Sequence, residues 1–214
     1  MKRDLSFYEF SGIFLPGAVL LGGTLLTIDE ARLWILSEDF GASQLGLFLI
    51  SAYVVGQLLQ GLGNLVEKIY WVGRGIPSHW VTRESIPFLH EQHAKRIGEL
   101  FKKLTDLEIA DRKSLRKKDS RNLTGSLFSV VKKEADTSRI DVFNGNYGLF
   151  RGLSTSFLIL ILFNVGVGTS LPTKIILTIC LLLALVRMER FAVHYARELY
   201  HLSFQILTSK SKNS

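Results

Sequence analysis

The polar side chains best placed for chemistry stand where apolar ones would be expected. Gln57, Gln60, Asn64 and Glu67 recur at steps of three, four and three within a stretch that has no other charge. At about 100° per helical residue these steps hold all four within a sector of about 80°, bordered by Gly56 and Gly63. Hydrocarbon offers an amide no hydrogen-bond partner, so the stripe is expected to face a helix bundle, a wet cavity or another subunit. It contains one acid and no nucleophile, which favours interhelical hydrogen bonding first, a wet cavity or pore lining second and catalysis last. Glu67 requires a cation, and Arg151 and Arg187 stand at the ends of two other apolar stretches as its candidate partners.

A second stripe is basic. Arg187, Arg190, His194, Arg197 and His201 also share about 80° of a helical face, while Phe191, Tyr195, Leu199 and Leu202 occupy a different sector. Such a helix suits anionic lipid headgroups, an anionic ligand or another part of the chain. From Asp141 to Gly152 the chain has three glycines, two asparagines and three aromatics, which reads as a re-entrant turn at the membrane surface. In that turn Asn144, Asn146 and Tyr147 would present amides beside a ring.

Metal and cofactor chemistry finds little support. His90 and His93 stand three apart with no third ligand in view, whereas the zincin pattern sets its histidines four apart. A solvated helix start explains them better. Cys180 is the single cysteine, which excludes an intrachain disulfide and paired-cysteine metal sites. No glycine-rich phosphate loop, Ser-His-Asp set or paired-acid motif occurs, so no cofactor, metal or enzymatic activity is expected.

The elements that must carry these residues are long and apolar. Phe10–Ile28, Phe40–Val66, Gly152–Thr173 and Ile175–Val186 lack Asp, Glu, Lys and Arg altogether. A bilayer crossing needs about 20 such residues at about 1.5 Å each. Three stretches reach that length, and the fourth reaches it from about Leu171 to Arg190 if Lys174 and Arg187 extend toward the headgroups. Pro16, in Phe14-Leu15-Pro16-Gly17, predicts a bend in the first helix whose freed carbonyl a neighbour must satisfy. That proline, the length of the stretch and the missing Ala-x-Ala-like site favour a span over a secretory signal.

Charge sets the expected orientation. Residues 67–151 hold 17 Lys+Arg against 11 Asp+Glu, and residues 187–214 hold five against two. Basic segments stay in the cytoplasm, so both belong there together with the N-terminus, where Lys2 and Arg3 lie. The same asymmetry explains the net charge of +7 without nucleic acid.

The expected organisation is therefore an all-α integral membrane protein with four transmembrane helices and a mainly helical cytoplasmic insert between the second and third. Residues 1–66 carry helices one and two, 67–151 the basic insert, 152–190 helices three and four, and 191–214 an amphipathic helix and tail. Within the insert, Tyr70, Trp71 and Trp80 read as an interfacial aromatic belt. An amphipathic helix is expected from about Pro87 to Leu107, a solvated charged stretch over Asp111–Arg121 and a short helix over Ser126–Lys133.

Three blocks carry a resemblance: Phe14-Leu15-Pro16-Gly17, the run from Ala52 to Glu67, and Asn146-Tyr147-Gly148-Leu149-Phe150-Arg151. Together they resemble small bacterial multi-pass membrane proteins that carry no assigned activity, a likeness that touches every span except the fourth. A comparable layout occurs among membrane components of bacterial antiphage systems, which is an analogy of architecture. The expected function is a non-enzymatic, oligomeric inner-membrane sensor or effector whose cytoplasmic module receives a protein, nucleotide or nucleic-acid cue. Its expected partners are membrane lipids, further copies of itself and a cytoplasmic protein. The alternative is a channel or transporter using the polar stripe of the second helix.

Overall fold

The computed structural model describes residues 7–35, 41–82, 86–87 and 117–212. Helices α1 (Phe7–Thr27), α2 (Asp29–Ile35), α3 (Ala42–Tyr70), α4 (Lys117–Glu134), α5 (Ser138–Val167) and α6 (Leu171–Lys212) account for most of them, with a 3₁₀ segment at Pro77–Thr82. No strand occurs among the described residues. Four of the helices, α1, α3, α5 and α6, are long and apolar enough to cross a membrane. That is the make-up of a multi-pass membrane protein, and exposed Leu58, Leu162 and Leu183, each more than 60% accessible, give these helices an outward surface suited to lipid. The helix expected between Pro87 and Leu107, the His90–His93 pair and most of the charged stretch before α4 lie outside the described residues.

The chain forms two compact units. One comprises Met1–Tyr70 and Gly145–Glu189, the other Trp71–Asn144 and Arg190–Ser214. The boundaries after Asn144 and Glu189 fall inside α5 and α6, so each of these helices contributes to both units.

Small residues decide the packing of the first unit. A Cβ placed on Gly17 would fall 1.8 Å from the Ala52 carbonyl oxygen, and one on Gly56 would fall 2.0 Å from that of Ile13. Backbone therefore meets backbone where α1 crosses α3, as small residues permit in apolar helix pairs. On α5, a Cβ on Gly152 would come within 2.6 Å of the Pro16 ring. Ser156, fully buried, donates its hydroxyl to the carbonyls of Pro16 at 2.8 Å and Gly152 at 3.0 Å.

The re-entrant turn expected at Asn144, Asn146 and Tyr147 is not formed. These residues lie within the unbroken helix α5. Gly12 of α1 packs beside this part of α5: a Cβ on it would sit 3.6 Å from the Leu149 amide, 3.7 Å from the Gly145 carbonyl and 3.9 Å from the Gly148 backbone. Close tertiary packing offsets the weak helix propensity of Asn and Gly, which alone suggested a turn. The helix ends later, at Gly168 with φ 76°, where the Thr169 amide returns to the Asn164 carbonyl at 3.3 Å in a Schellman-type closure.

The second unit has its own core of Ile86, Leu123, Leu127, Val131, Ile140, Ala196, Leu199, Tyr200 and Ile206. The short helix expected at Ser126–Lys133 is the C-terminal half of α4. Gly73 and Gly75, at φ 77° and 66°, turn the chain out of α3 toward the 3₁₀ segment. Trp71 does not join an aromatic belt open to its surroundings: it is 3% exposed, and the Arg74 guanidinium stands 5.2 Å from its ring. The Trp80 indole donates to the carbonyls of Arg74 and Gly75, each at 3.0 Å.

Candidate functional site

The densest polar cluster of the first unit begins with a proline. Pro16 has no N–H to give the carbonyl of Gly12, one turn earlier in α1. Gln60 of α3 donates its amide to that carbonyl at 2.8 Å. The other end of the same amide accepts from Arg151 Nη2 at 2.7 Å. Arg151 then places Nη1 2.8 Å from Glu67 Oε2, with both side chains largely shielded, 19% and 15% exposed. One continuous chain of hydrogen bonds thus joins α1, α3 and α5.

Neighbours hold the guanidinium in position. Gly63 leaves room for the arginine stem, since a Cβ there would already touch Arg151 Cγ and Nε at 3.4 Å. The Tyr147 ring lies 6.0 Å from the guanidinium carbon, and Thr155 donates to the Arg151 carbonyl at 2.9 Å. Arg151 Nε is buried without a hydrogen-bond partner. Arginine suits this task because its planar fork serves two acceptors at once, the Gln60 amide oxygen and the Glu67 carboxylate. The cluster offers a permanent cation, a single carboxylate and an amide, and it contains no nucleophile.

Only half of the predicted stripe joins it. Gln60 and Glu67 point into the unit, whereas Gln57 and Asn64 are exposed. The buried line of α3 is Ala52, Gly56, Leu59 and Gly63. Gln60 and Glu67 lie on its flank, but Gln57 and Asn64 are rotated about 100° or more from the centre of that line. Gln57 donates to Tyr53 on its own helix at 2.9 Å. The geometry selects Arg151 over Arg187 as the partner of Glu67; the Arg187 guanidinium stands over the Phe150 ring at 6.0 Å. Tyr70 donates to Glu189, which ties α3 to α6 within this unit.

In the second unit the basic stripe is present on α6, with Arg190, Arg197 and His201 exposed and His194 half-buried. His194 stacks on Phe143 of α5 at 5.4 Å and accepts from Arg190 Nε at 3.4 Å. Arg139 adds a cation nearby, pairing with Glu198 at 3.4 Å and standing 5.9 Å from the Phe143 ring. Among the described residues no group of three or more His, Cys, Asp or Glu side chains could hold a metal.

Two features escaped sequence reading. The carbonyl freed by Pro16 is expected, but its donor, Gln60 of α3, is one of them. The other is the Ser78 carbonyl, which accepts from Tyr200 at 2.8 Å and Thr124 at 2.7 Å in the second unit. Neither of those donors carries a local signal.

The fold and site together define the class: a chain helical throughout its regular described elements, with four helices apt for membrane crossing and a partly buried Arg-Glu-Gln clasp. No protein-family model, curated protein or solved structure matches it.

Proposed function

We propose that this chain is a non-enzymatic, multi-pass inner-membrane sensor or effector that works as an oligomer. Both termini and the second unit lie in the cytoplasm, and that unit receives the cue, whether protein, nucleotide or nucleic acid. The observation that supports this reading most is the distribution of polar groups. Inside the first unit, Gln60, Arg151 and Glu67 satisfy one another and the carbonyl freed by Pro16, so they bind helices together and offer no acid–base pair to a substrate. The second unit has a separate core and keeps a row of exposed basic side chains for a partner. The excess of Lys and Arg over Asp and Glu in residues 67–151 supports its cytoplasmic side. By analogy of layout, antiphage defence is the proposed setting.

A channel or transporter is the second reading. It draws on Gln57 and Asn64, polar residues exposed on a long apolar helix that could line a pore between subunits.

Cells carrying the protein should be exposed to phage while membrane potential is followed. A sensor or effector responds only after challenge, and the response is lost when Arg151 is replaced. Steady leakage without challenge favours the channel, and no response to any phage tested removes the defence setting.

A further inference from the structure

Two sets of glycines divide α3. Gly56 and Gly63 are buried within the first unit, whereas a Cβ on Gly46 or Gly61 would meet nothing within 4 Å. The second pair lies within about 40° of a line formed by Ile50, Gln57 and Asn64, which follow one another at heptad steps. Ile50 is 66% exposed, and Gln57 and Asn64 are exposed beside it. Gln57 reaches Tyr53 with its amide nitrogen, while Asn64 has no side-chain partner among the described residues. In a membrane this face would present two amides to acyl chains that neither donate nor accept.

We propose that this face of α3 pairs with the same face of a second copy in a parallel helix contact. Three properties select that occupant. A primary amide both donates and accepts, so it is complementary to itself. Copies inserted in the same direction are related by rotation about the membrane normal, which brings each residue of such a face to its own counterpart. Gln57 then meets Gln57 and Asn64 meets Asn64, about two turns apart, with Ile50 one further heptad along. Finally, the face carries no charge from Gly41 to Val66 that would repel its own kind, and Gly46 and Gly61 allow the backbones to approach closely. The inference rests on α3 crossing a membrane and does not depend on the nature of the cue.

The test uses the full chain in native membranes, with Cys180→Ser as background and single cysteines introduced by Gln57→Cys, Asn64→Cys and Leu62→Cys. Leu62, 50% exposed, points about 140° away from Gln57. Oxidation should give disulfide-linked dimers at positions 57 and 64 and none at 62. In lipid nanodiscs, the wild type should have the mass of two chains, and Gln57→Leu/Asn64→Leu should fall to one while remaining in the membrane fraction. Equal cross-linking at 62 or a cross-link to a protein of different mass overturns the pairing alone, whereas a monomeric wild type in membranes overturns the proposed oligomer with it. Recovery of the wild type outside the membrane fraction overturns the membrane reading with it.

Discussion

Arg151 and Glu67, 84 residues apart in sequence, meet at 2.8 Å, and the same guanidinium reaches Gln60 with its other nitrogen. Removing one member of a shielded pair strands the other charge, at a cost of about 3–5 kcal/mol in soluble proteins. Glu67→Gln and Arg151→Leu should each lower the amount of folded protein recovered from membranes. Arg151→Lys should rescue only in part, because an ammonium cannot reproduce the fork. A double-mutant cycle should show coupling between 67 and 151 and none between 67 and 187. Equal coupling to both arginines would refute the assignment.

The crossing of α1 and α3 tolerates no added atoms. Gly17→Ala and Gly56→Ala place a methyl about 2 Å from a carbonyl oxygen of the facing helix. Overpacking typically costs about 1–3 kcal/mol, and here a rigid backbone is the obstacle. Gly148→Ala meets nothing within 4 Å and should be neutral or slightly stabilising. Thermal unfolding in detergent by circular dichroism would separate the two outcomes. A Gly56→Ala protein as stable as wild type would show that the helices pack differently.

In the second unit, Tyr200 and Thr124 share one acceptor, the Ser78 carbonyl. Thr124→Val removes its bond to this carbonyl, and Tyr200→Phe removes another together with a longer one to the Pro77 carbonyl at 3.3 Å; at about 0.5–1.5 kcal/mol per bond, each single variant leaves the Ser78 carbonyl served by the other donor. The double variant leaves it with neither donor and should cost more than the sum. Proteolytic susceptibility of the second unit in the full-length protein would report this, and simple additivity would contradict the shared role.

Orientation is tested by labels. Tags at residue 115 and at the C-terminus should be protected in intact cells, whereas one near residue 35 should react from outside. Labelling at 115 from the exterior would reverse the proposed topology.

Asp136 precedes α5 and accepts from the Ser138 amide at 2.9 Å and from its hydroxyl, bonds that hold the carboxyl below its ordinary range. A depressed carboxyl pKa contributes stability that is present above the unfolded value, about 3.9. That contribution is lost as pH falls through the lower folded value. Hydrogen exchange at the Ser138 amide should therefore be faster in Asp136→Ala than in wild type near neutral pH, with the difference vanishing in strong acid. A difference that persists at low pH would assign the protection to something other than the carboxylate.

Composition and spacing by themselves determined the four long apolar helices, because an uncharged run of about 20 residues has few other uses. They also identified Glu67 as a carboxylate needing a cation and Pro16 as the source of an orphaned carbonyl, since both follow from local valence and charge. Tertiary structure decided which groups answered. Helical angle placed Gln57, Gln60, Asn64 and Glu67 in one sector, but the small residues Ala52, Gly56 and Gly63 set where the neighbouring helices approach. That approach turned Gln60 and Glu67 inward and left Gln57 and Asn64 outside. The turn signal at Asn144–Tyr147 was likewise overruled: the stretch is helical within α5, where Gly12 of α1 packs beside the Gly145–Leu149 backbone. Local propensity is worth tenths of a kcal/mol to about 1 kcal/mol per residue, and it yields where close packing and satisfied polar groups act together over several residues.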